Sequence, residues 1–109
     1  MKRYGMVIQI KPEKIKEYKE LHAKVWPDVL AVISSFNIKN YSIYLREPEN
    51  LLFSYFEYHG TDFDLDMAKM ASDPIIKEWW LCTDPCQEPL QTKSHHEWWS
   101  EMEEVFHSD

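Results

Sequence analysis

Positive charge, cysteine and long apolar runs are all scarce in this sequence. The 12 Lys and Arg residues face 19 Asp and Glu residues, for a net charge of −7. This balance argues against a nucleic-acid partner, because phosphate binding needs clustered basic residues. No apolar run approaches the roughly 20 residues that cross a bilayer, and the first residues carry no small-residue cleavage site. We therefore expect a cytoplasmic protein without a membrane or nucleic-acid partner.

The two cysteines do not form a convincing metal or disulfide site. Cys82 and Cys86 are four residues apart, which places both thiols on one side of a helix. Structural zinc is an alternative, but the adjacent pair His95 and His96 lacks the usual ligand spacing. We expect reduced, mostly buried thiols and no bound metal. The histidines with no identifiable partner are expected at the surface or in an interface: His59, His95, His96 and His107.

Aromatic residues, in contrast, are abundant. They make up 15% of the 109 residues and include five Trp, in a chain that is 44% hydrophobic. The length fits a single domain spanning residues 1–109. So much indole in a small acidic protein suggests stacking on a ligand, such as a sugar, in addition to filling the core.

Apolar periodicity predicts the element order β-α-β-β-α-β. The expected elements are a strand at 3–10, a helix over 12–36 broken near Trp26 by Pro27, strands at 37–46 and 51–58, helices over 61–72 (capped by Thr61) and from Pro74 to 81, a loop at 84–94 and a last strand near 103–107. This is an α+β, ferredoxin-like unit with a four-stranded antiparallel sheet and helices on one face. Because strand 51–58 is apolar on both faces, we expect a second subunit to cover the other face in a homodimer.

The first helix carries two titratable side chains on its core-facing stripe. Tyr18 and His22 lie one turn apart on the face that also presents Ile15, Val25 and Ile33 to the core. His22 is then either a core histidine with a satisfied hydrogen bond or the acid-base group of a small polar pocket between helix and sheet.

Several short motifs in this order and spacing resemble the L-rhamnose mutarotase family over nearly the whole chain. They are Tyr18, His22, Trp26-Pro27, the strand 40–45, the run 50–53, the pair Trp79-Trp80 and the ending Glu104-Val105-Phe106. The resemblance implies a dimeric α/β barrel that interconverts the α and β anomers of a 6-deoxy-aldose, with L-rhamnose as the expected substrate, without a cofactor.

The resemblance also implies roles for five residues. His22 matches the family's proton donor, and Tyr18, Tyr41, Trp79 and Trp80 match its sugar-binding residues. The chemistry agrees, because mutarotation needs only proton shuttling, and a histidine with a pKa near 6.5 shuttles protons both ways at neutral pH.

Not every member of the pairs Trp79-Trp80 and Tyr41-Tyr44 needs to contact a ligand. Adjacent helical residues point about 100° apart, so one of Trp79 and Trp80 could stack on a sugar while the other fills the core. Tyr41 and Tyr44 fall on opposite faces of a strand, so one would reach the pocket and the other the partner subunit. The resemblance favours Tyr41 in the pocket.

The segment 82–99 departs from the simplest members of that family. It adds Pro85, Pro89 and a second Trp pair beside the pocket helix, so it could adapt the pocket to L-fucose or form a dimer lid. Two other classes stay open: a non-catalytic small-molecule-binding module, and a monooxygenase built on a similar paired sheet.

Overall fold

The protein, described here by a computed structural model of residues 1–109, has five strands and four α-helices. In chain order they are β1 (Lys2–Ile10), α1 (Ile15–Ala23), α2 (Pro27–Ser35), β2 (Ile38–Arg46), β3 (Leu51–Tyr58), α3 (Phe63–Ala71), α4 (Pro74–Thr83), β4 (Gln87–Glu88) and β5 (Ser100–Met102). Short 3₁₀ turns at Pro12–Lys14 and Asp84–Cys86 precede α1 and follow α4. The predicted α+β class is confirmed.

The sheet is antiparallel, with β3 between β2 and β1. The other edge of β1 pairs with β4 at Gln9 and Ile10 and with β5 from Gly5 to Val7. The four expected strand positions are therefore present, and two short strands share the fourth.

Proline and aspartate fix where the helices begin. Pro27 is the first residue of α2, and Trp26 before it is extended with ψ 131°, which produces the break expected at this point. Asp73 caps α4 by accepting hydrogen bonds from the backbone N–H groups of Ile75 and Ile76.

The predicted Thr61 cap is wrong. Helix α3 begins at Phe63, so the capping position falls on Asp62, whose carboxylate accepts from the Leu65 N–H at 3.1 Å. A cap must directly precede the first helical turn for its side chain to reach these amides.

The helices pack on one face of the sheet. That face buries Ile8 and Leu52, which are opposite each other in β1 and β3, against Tyr18 of α1 and Cys86. Further along the same face a second group of buried side chains packs with α3: Tyr4, Ile38, Phe56 and Tyr58.

The opposite face of the sheet has no helix on it. Val7, Phe53 and Tyr44 lie side by side across three neighbouring strands there. Tyr44 is 66% exposed, and Val7 and Phe53 are only half-buried. The chain therefore leaves an apolar row uncovered, as the pattern of strand 51–58 indicated.

A bulge in β2 decides which of its side chains face the helices. Lys39 pairs with Glu57 and Ser42 with Tyr55, so two residues on β2, Asn40 and Tyr41, face one on β3. Asn40 adopts the left-handed conformation with φ 50°, which asparagine tolerates better than most residues.

The last strand is not where the sequence suggested. Strand β5 ends at Met102, whereas Val105 and Phe106 are exposed and outside any strand. The pairing of β5 with β1 stops at Met102 and Gly5, so the residues that follow do not continue along Lys2 to Tyr4 at the start of β1. The Arg3 guanidinium instead holds this segment through the Glu104 carboxylate at 2.7 Å.

Both thiols are free, with Cys86 buried and Cys82 half-buried. Burial, together with a contact to the Glu17 carboxylate at 3.2 Å, raises the pKa of the Cys86 thiol to about 11. The four histidines expected at the surface are indeed exposed: His59, His95, His96 and His107. None of the helices combines the length and apolar character required to traverse a bilayer.

Candidate active site

A cavity of about 440 Å³ lies between the helices and the half of the sheet formed by β2 and β3. Its volume falls in the range of small-molecule sites, roughly 300 to 1,000 Å³. Of the 20 residues that line it, 18 are hydrophobic, and no carboxylate is among them. The structure brings all five residues singled out from the sequence to this one cavity: Tyr18 and His22 from α1, Tyr41 from β2, and Trp79 and Trp80 from α4.

His22 is held in one tautomer by its own helix. Its Nδ1 lies 2.8 Å from the backbone carbonyl oxygen of Tyr18. A carbonyl only accepts hydrogen bonds, so Nδ1 carries the proton and Nε2 of the neutral ring keeps a lone pair. Burial lowers the pKa of His22 below its ordinary value, against a smaller opposing effect of that hydrogen bond. The neutral ring therefore predominates at pH 7, and its Nε2 is available to accept a hydrogen bond or a proton.

Tyr18 is buried beside His22, with ring centroids 4.2 Å apart. Burial raises the pKa of its phenol above the ordinary value, although a hydrogen bond from Gln87 works in the other direction. Tyr18 consequently stays protonated at any pH at which the protein works, and it acts as a hydrogen-bonding group rather than as a source of protons.

Tyr41 reaches the cavity from the bulge in β2. Its ring packs edge-on against Phe56, with centroids 5.6 Å apart. Although 44% of the residue is exposed, the hydroxyl end is surrounded by the cavity, and burial raises the pKa of Tyr41 to about 12. Tyr44 lies on the other face of the sheet, so the two tyrosines point to opposite faces as expected.

The two tryptophans of α4 differ in environment. Trp79 is only 6% exposed and packs edge-on against His22 and Trp26, at 5.3 and 5.1 Å between centroids. Trp80 is half-buried and also lines the cavity. Trp79 therefore combines core filling with contact to the imidazole, whereas Trp80 has the freer surface for a ligand.

Sequence reasoning missed two residues that support Tyr18 through hydrogen bonds. Gln87 is buried in β4 and donates from Nε2 to the Tyr18 hydroxyl at 3.1 Å, while the Trp98 indole N–H donates to Gln87 Oε1 at 2.8 Å. The segment 82–99 drew attention only for its unusual composition, and no spacing rule connects Gln87 with Tyr18. No cluster of three or more His, Cys, Asp or Glu side chains is placed to hold a metal ion.

The arrangement supports acid-base chemistry on a small neutral molecule. One imidazole, two phenols, two indoles and the Lys19 ammonium group supply the polar side-chain atoms, and other apolar side chains form the remaining wall. Such a cavity binds a compact ligand that has hydroxyl groups on one side and apolar surface on the other.

Comparison with known proteins adds a family. Residues 3–108 match the family model described as L-rhamnose mutarotase. The chain is 32% identical over 109 residues to an L-rhamnose mutarotase of Oceanobacillus iheyensis, with all of both chains covered. It is 30% identical over 113 residues to one of Shigella flexneri, with 98% of each chain covered.

Solved structures agree on the fold. A crystal structure of an L-rhamnose mutarotase from Formosa agariphila matches the whole chain with a TM-score of 0.78 at 23% identity. Tetracenomycin F2 cyclase from Streptomyces glaucescens, a polyketide cyclase, matches with a TM-score of 0.72 at 13% identity over all of both chains. At these identities the likeness concerns the fold alone, since one fold hosts different chemistries.

Proposed function

The chain belongs to the L-rhamnose mutarotase family, and we propose that it is an isomerase that interconverts the α and β anomers of a 6-deoxy-aldose, with L-rhamnose as the preferred substrate. The observation that carries this proposal is the single imidazole base in an apolar cavity. His22 presents an unprotonated Nε2 there at neutral pH.

The reaction requires one proton to move between two oxygens of the sugar. His22 Nε2 takes the proton of the anomeric hydroxyl, the bond between C1 and the ring oxygen breaks, and its electron pair stays on the ring oxygen. The imidazolium then gives the proton to that oxygen, directly or through a water molecule. Rotation about the C1–C2 bond turns the aldehyde, and the same steps in reverse close the ring on its other face. Because an imidazole can both accept and release a proton, the same group serves both directions.

The other four residues bind and orient the sugar. The phenols of Tyr18 and Tyr41 stay protonated because burial raises their pKa values, so they donate hydrogen bonds to sugar oxygens. Trp80 offers its indole face to the apolar side of the sugar ring, and Trp79 packs edge-on against the His22 imidazole. No step calls for a metal or an organic cofactor.

The lining favours a 6-deoxy sugar. Aliphatic side chains of β2 and α2 make up much of the wall, and Lys19 is the one fully charged residue on it. A methyl group at C6 fits such a wall, whereas a C6 hydroxyl there would lose its hydrogen bonds to water. L-fucose has the same methyl group, so it is the alternative substrate to be compared with L-rhamnose.

We also propose that the working form is a cytoplasmic homodimer. The row formed by Val7, Phe53 and Tyr44 is apolar and lacks a helical cover in one chain. A second copy of the same sheet would bury it, and related surfaces in small single-domain proteins are usually covered in this way.

Saturation-transfer proton NMR tests the function directly. One anomeric signal is saturated, and the rate at which the other loses intensity is measured with and without the protein. We expect faster exchange for L-rhamnose than for L-mannose, which differs only by a hydroxyl at C6, by up to roughly 10² because an apolar pocket rejects an added hydroxyl only moderately. L-fucose measured in the same way ranks the alternative.

The same samples separate the other classes. A binding module would broaden sugar signals without hastening exchange, and a monooxygenase would consume oxygen. No acceleration for any aldose in the panel would refute the proposed activity.

A further inference from the structure

Gln87 joins two aromatic side chains that the cavity description treats separately. It is buried in the short strand β4, and its amide lies 3.1 Å from the Tyr18 hydroxyl and 2.8 Å from the Trp98 indole nitrogen. Tyr18 and Gln87 are 69 positions apart in the chain. A buried polar side chain with both ends satisfied in this way fixes the orientation of its neighbours.

The chemistry of the three groups determines the direction of both hydrogen bonds. An indole N–H only donates, so the atom of Gln87 that faces Trp98 is the amide oxygen. The amide nitrogen, which also only donates, therefore faces Tyr18. The phenol oxygen accepts this bond, and its own hydrogen remains free to be donated elsewhere.

We propose that Gln87 and Trp98 are positioning residues that make the Tyr18 hydroxyl a hydrogen-bond donor toward an oxygen of the bound sugar. This inference rests on the function proposed above, because it concerns how the same cavity recognises its substrate. Without Trp98 the Gln87 amide can flip, which exchanges its oxygen and nitrogen. Without the amide nitrogen the Tyr18 hydroxyl can donate its hydrogen bond to a protein group. In either case the sugar loses a donor.

Gln87→Glu tests the direction of the bond with almost no change in shape. The introduced carboxylate only accepts, so it takes the Tyr18 hydrogen and still receives the Trp98 N–H. We expect exchange at saturating sugar to be roughly ten-fold slower at pH 8, the cost of about one hydrogen bond. When the introduced carboxyl becomes protonated it donates to Tyr18 again. The ratio of variant to wild-type rate should therefore rise toward one as the pH falls.

Two matched proteins isolate that effect. Gln91→Glu makes the same chemical change at an exposed position of the same segment, and its ratio should stay near one at every pH. Gln87→Glu in a Tyr18→Phe background, compared with Tyr18→Phe alone, keeps the new charge but lacks the hydroxyl. Any pH dependence of this second ratio therefore measures the influence of the charge on the titratable groups around residue 18, which are His22, Tyr41, Asp84 and Cys86. We expect the first ratio, taken with Tyr18 in place, to change with pH by more than this second ratio does.

Trp98→Phe gives an independent arm, which decides the matter if a buried carboxyl at position 87 prevents folding. Trp98 is 42% exposed, so its replacement leaves the core intact. We expect exchange to be several-fold slower in Trp98→Phe than in the wild-type protein. The double variant that combines Trp98→Phe with Tyr18→Phe should be no slower than Tyr18→Phe alone.

The results that overturn the inference are distinct from those that overturn the function. If wild-type protein accelerates exchange and folded Trp98→Phe is equally fast, or if the Gln87→Glu ratio does not change with pH, Gln87 and Trp98 have only a structural role. If the wild-type protein itself accelerates no sugar, the function proposed above is the part that fails.

Discussion

Replacing His22 by glutamine removes the only imidazole of the cavity while keeping the helix. Glutamine is close in length and can still donate to a nearby carbonyl, but it has no titratable nitrogen. A positioned acid-base group contributes roughly 10² to 10⁴ in rate. We therefore expect His22→Gln to slow anomer exchange by that factor, with sugar binding largely retained because the binding groups are other side chains.

The stability cost should be small enough for the variant to fold. The substitution gives up the bond from Nδ1 to the Tyr18 carbonyl and the ring contacts with Tyr18 and Trp79. One hydrogen bond and two aromatic contacts, at about 0.5 to 1.5 kcal/mol each, amount to about 1.5 to 4.5 kcal/mol of unfolding free energy. This is less than the roughly 5 to 15 kcal/mol of a typical domain.

The pH profile gives a second readout with a definite sign. Burial lowers the pKa of His22 in the folded protein below its ordinary 6.5, so the base form predominates at pH 7 and we expect the exchange rate to fall as the pH drops below 6.5. The unfolded chain binds the proton first, so the free energy of unfolding also falls as the pH drops from 6.5 through the folded pKa. In His22→Gln the fall in rate at low pH should vanish, and the free energy of unfolding should lose the part of its pH dependence that His22 contributes.

The assay is magnetisation transfer between the anomeric proton signals of L-rhamnose from pH 5 to pH 8, with the buffer rate subtracted. His59→Gln, at an exposed histidine, serves as the matched control and should behave like wild type. Exchange near the wild-type rate in a His22→Gln protein shown to be folded by circular dichroism would refute the reasoning and make His22 a core histidine.

Three further predictions follow from the same geometry. Tyr44→Asp should convert the dimer to monomers in sedimentation equilibrium, whereas the control Leu81→Asp, at another exposed apolar residue, should not. A wild-type protein that is monomeric at micromolar concentration would contradict the proposed dimer. Trp79→Ala should lower the free energy of unfolding by about 3 to 5 kcal/mol in denaturant titrations, whereas Trp80→Ala should mainly raise KM. Exhaustive EDTA treatment should leave exchange unchanged, and a loss that zinc restores would disprove metal independence.

Local periodicity accounts for what the sequence predicted well. The stripe that carries Tyr18 and His22 depends only on spacing within one helix. Pro27 marks a helix start as the first helical residue, and Asp73 marks one through hydrogen bonds from backbone N–H groups two and three residues later. The strand 51–58 was predicted with its observed bounds, because a run of residues that favour strands directly follows the polar turn at 47–50. Interactions of this kind are encoded within a few residues.

The polar support of Tyr18 could not be predicted in this way. Gln87 lies in a two-residue strand after a 3₁₀ turn, and Trp98 lies in an irregular segment before β5. Neither segment has a period that assigns a face, and the contact with Tyr18 depends on how the end of the chain returns to the edge of β1. The same dependence explains why the last strand was expected at 103–107: apolar Val105 and Phe106 fit a strand, but the chain pairs with β1 earlier, at residues 100–102.

The bulge at Asn40 shows how one residue outside the period changes a site. Ile38 and Ile43 are five positions apart, so in a regular strand they would lie on opposite faces. Both line the cavity, because the extra residue between Lys39 and Ser42 restores the alternation. Tyr41 is part of that irregularity, so its place in the cavity follows from the family resemblance and from the alternation with Tyr44, but not from its spacing to Ile38. A local backbone conformation with φ 50° at Asn40 thus sets which phenol can reach a sugar.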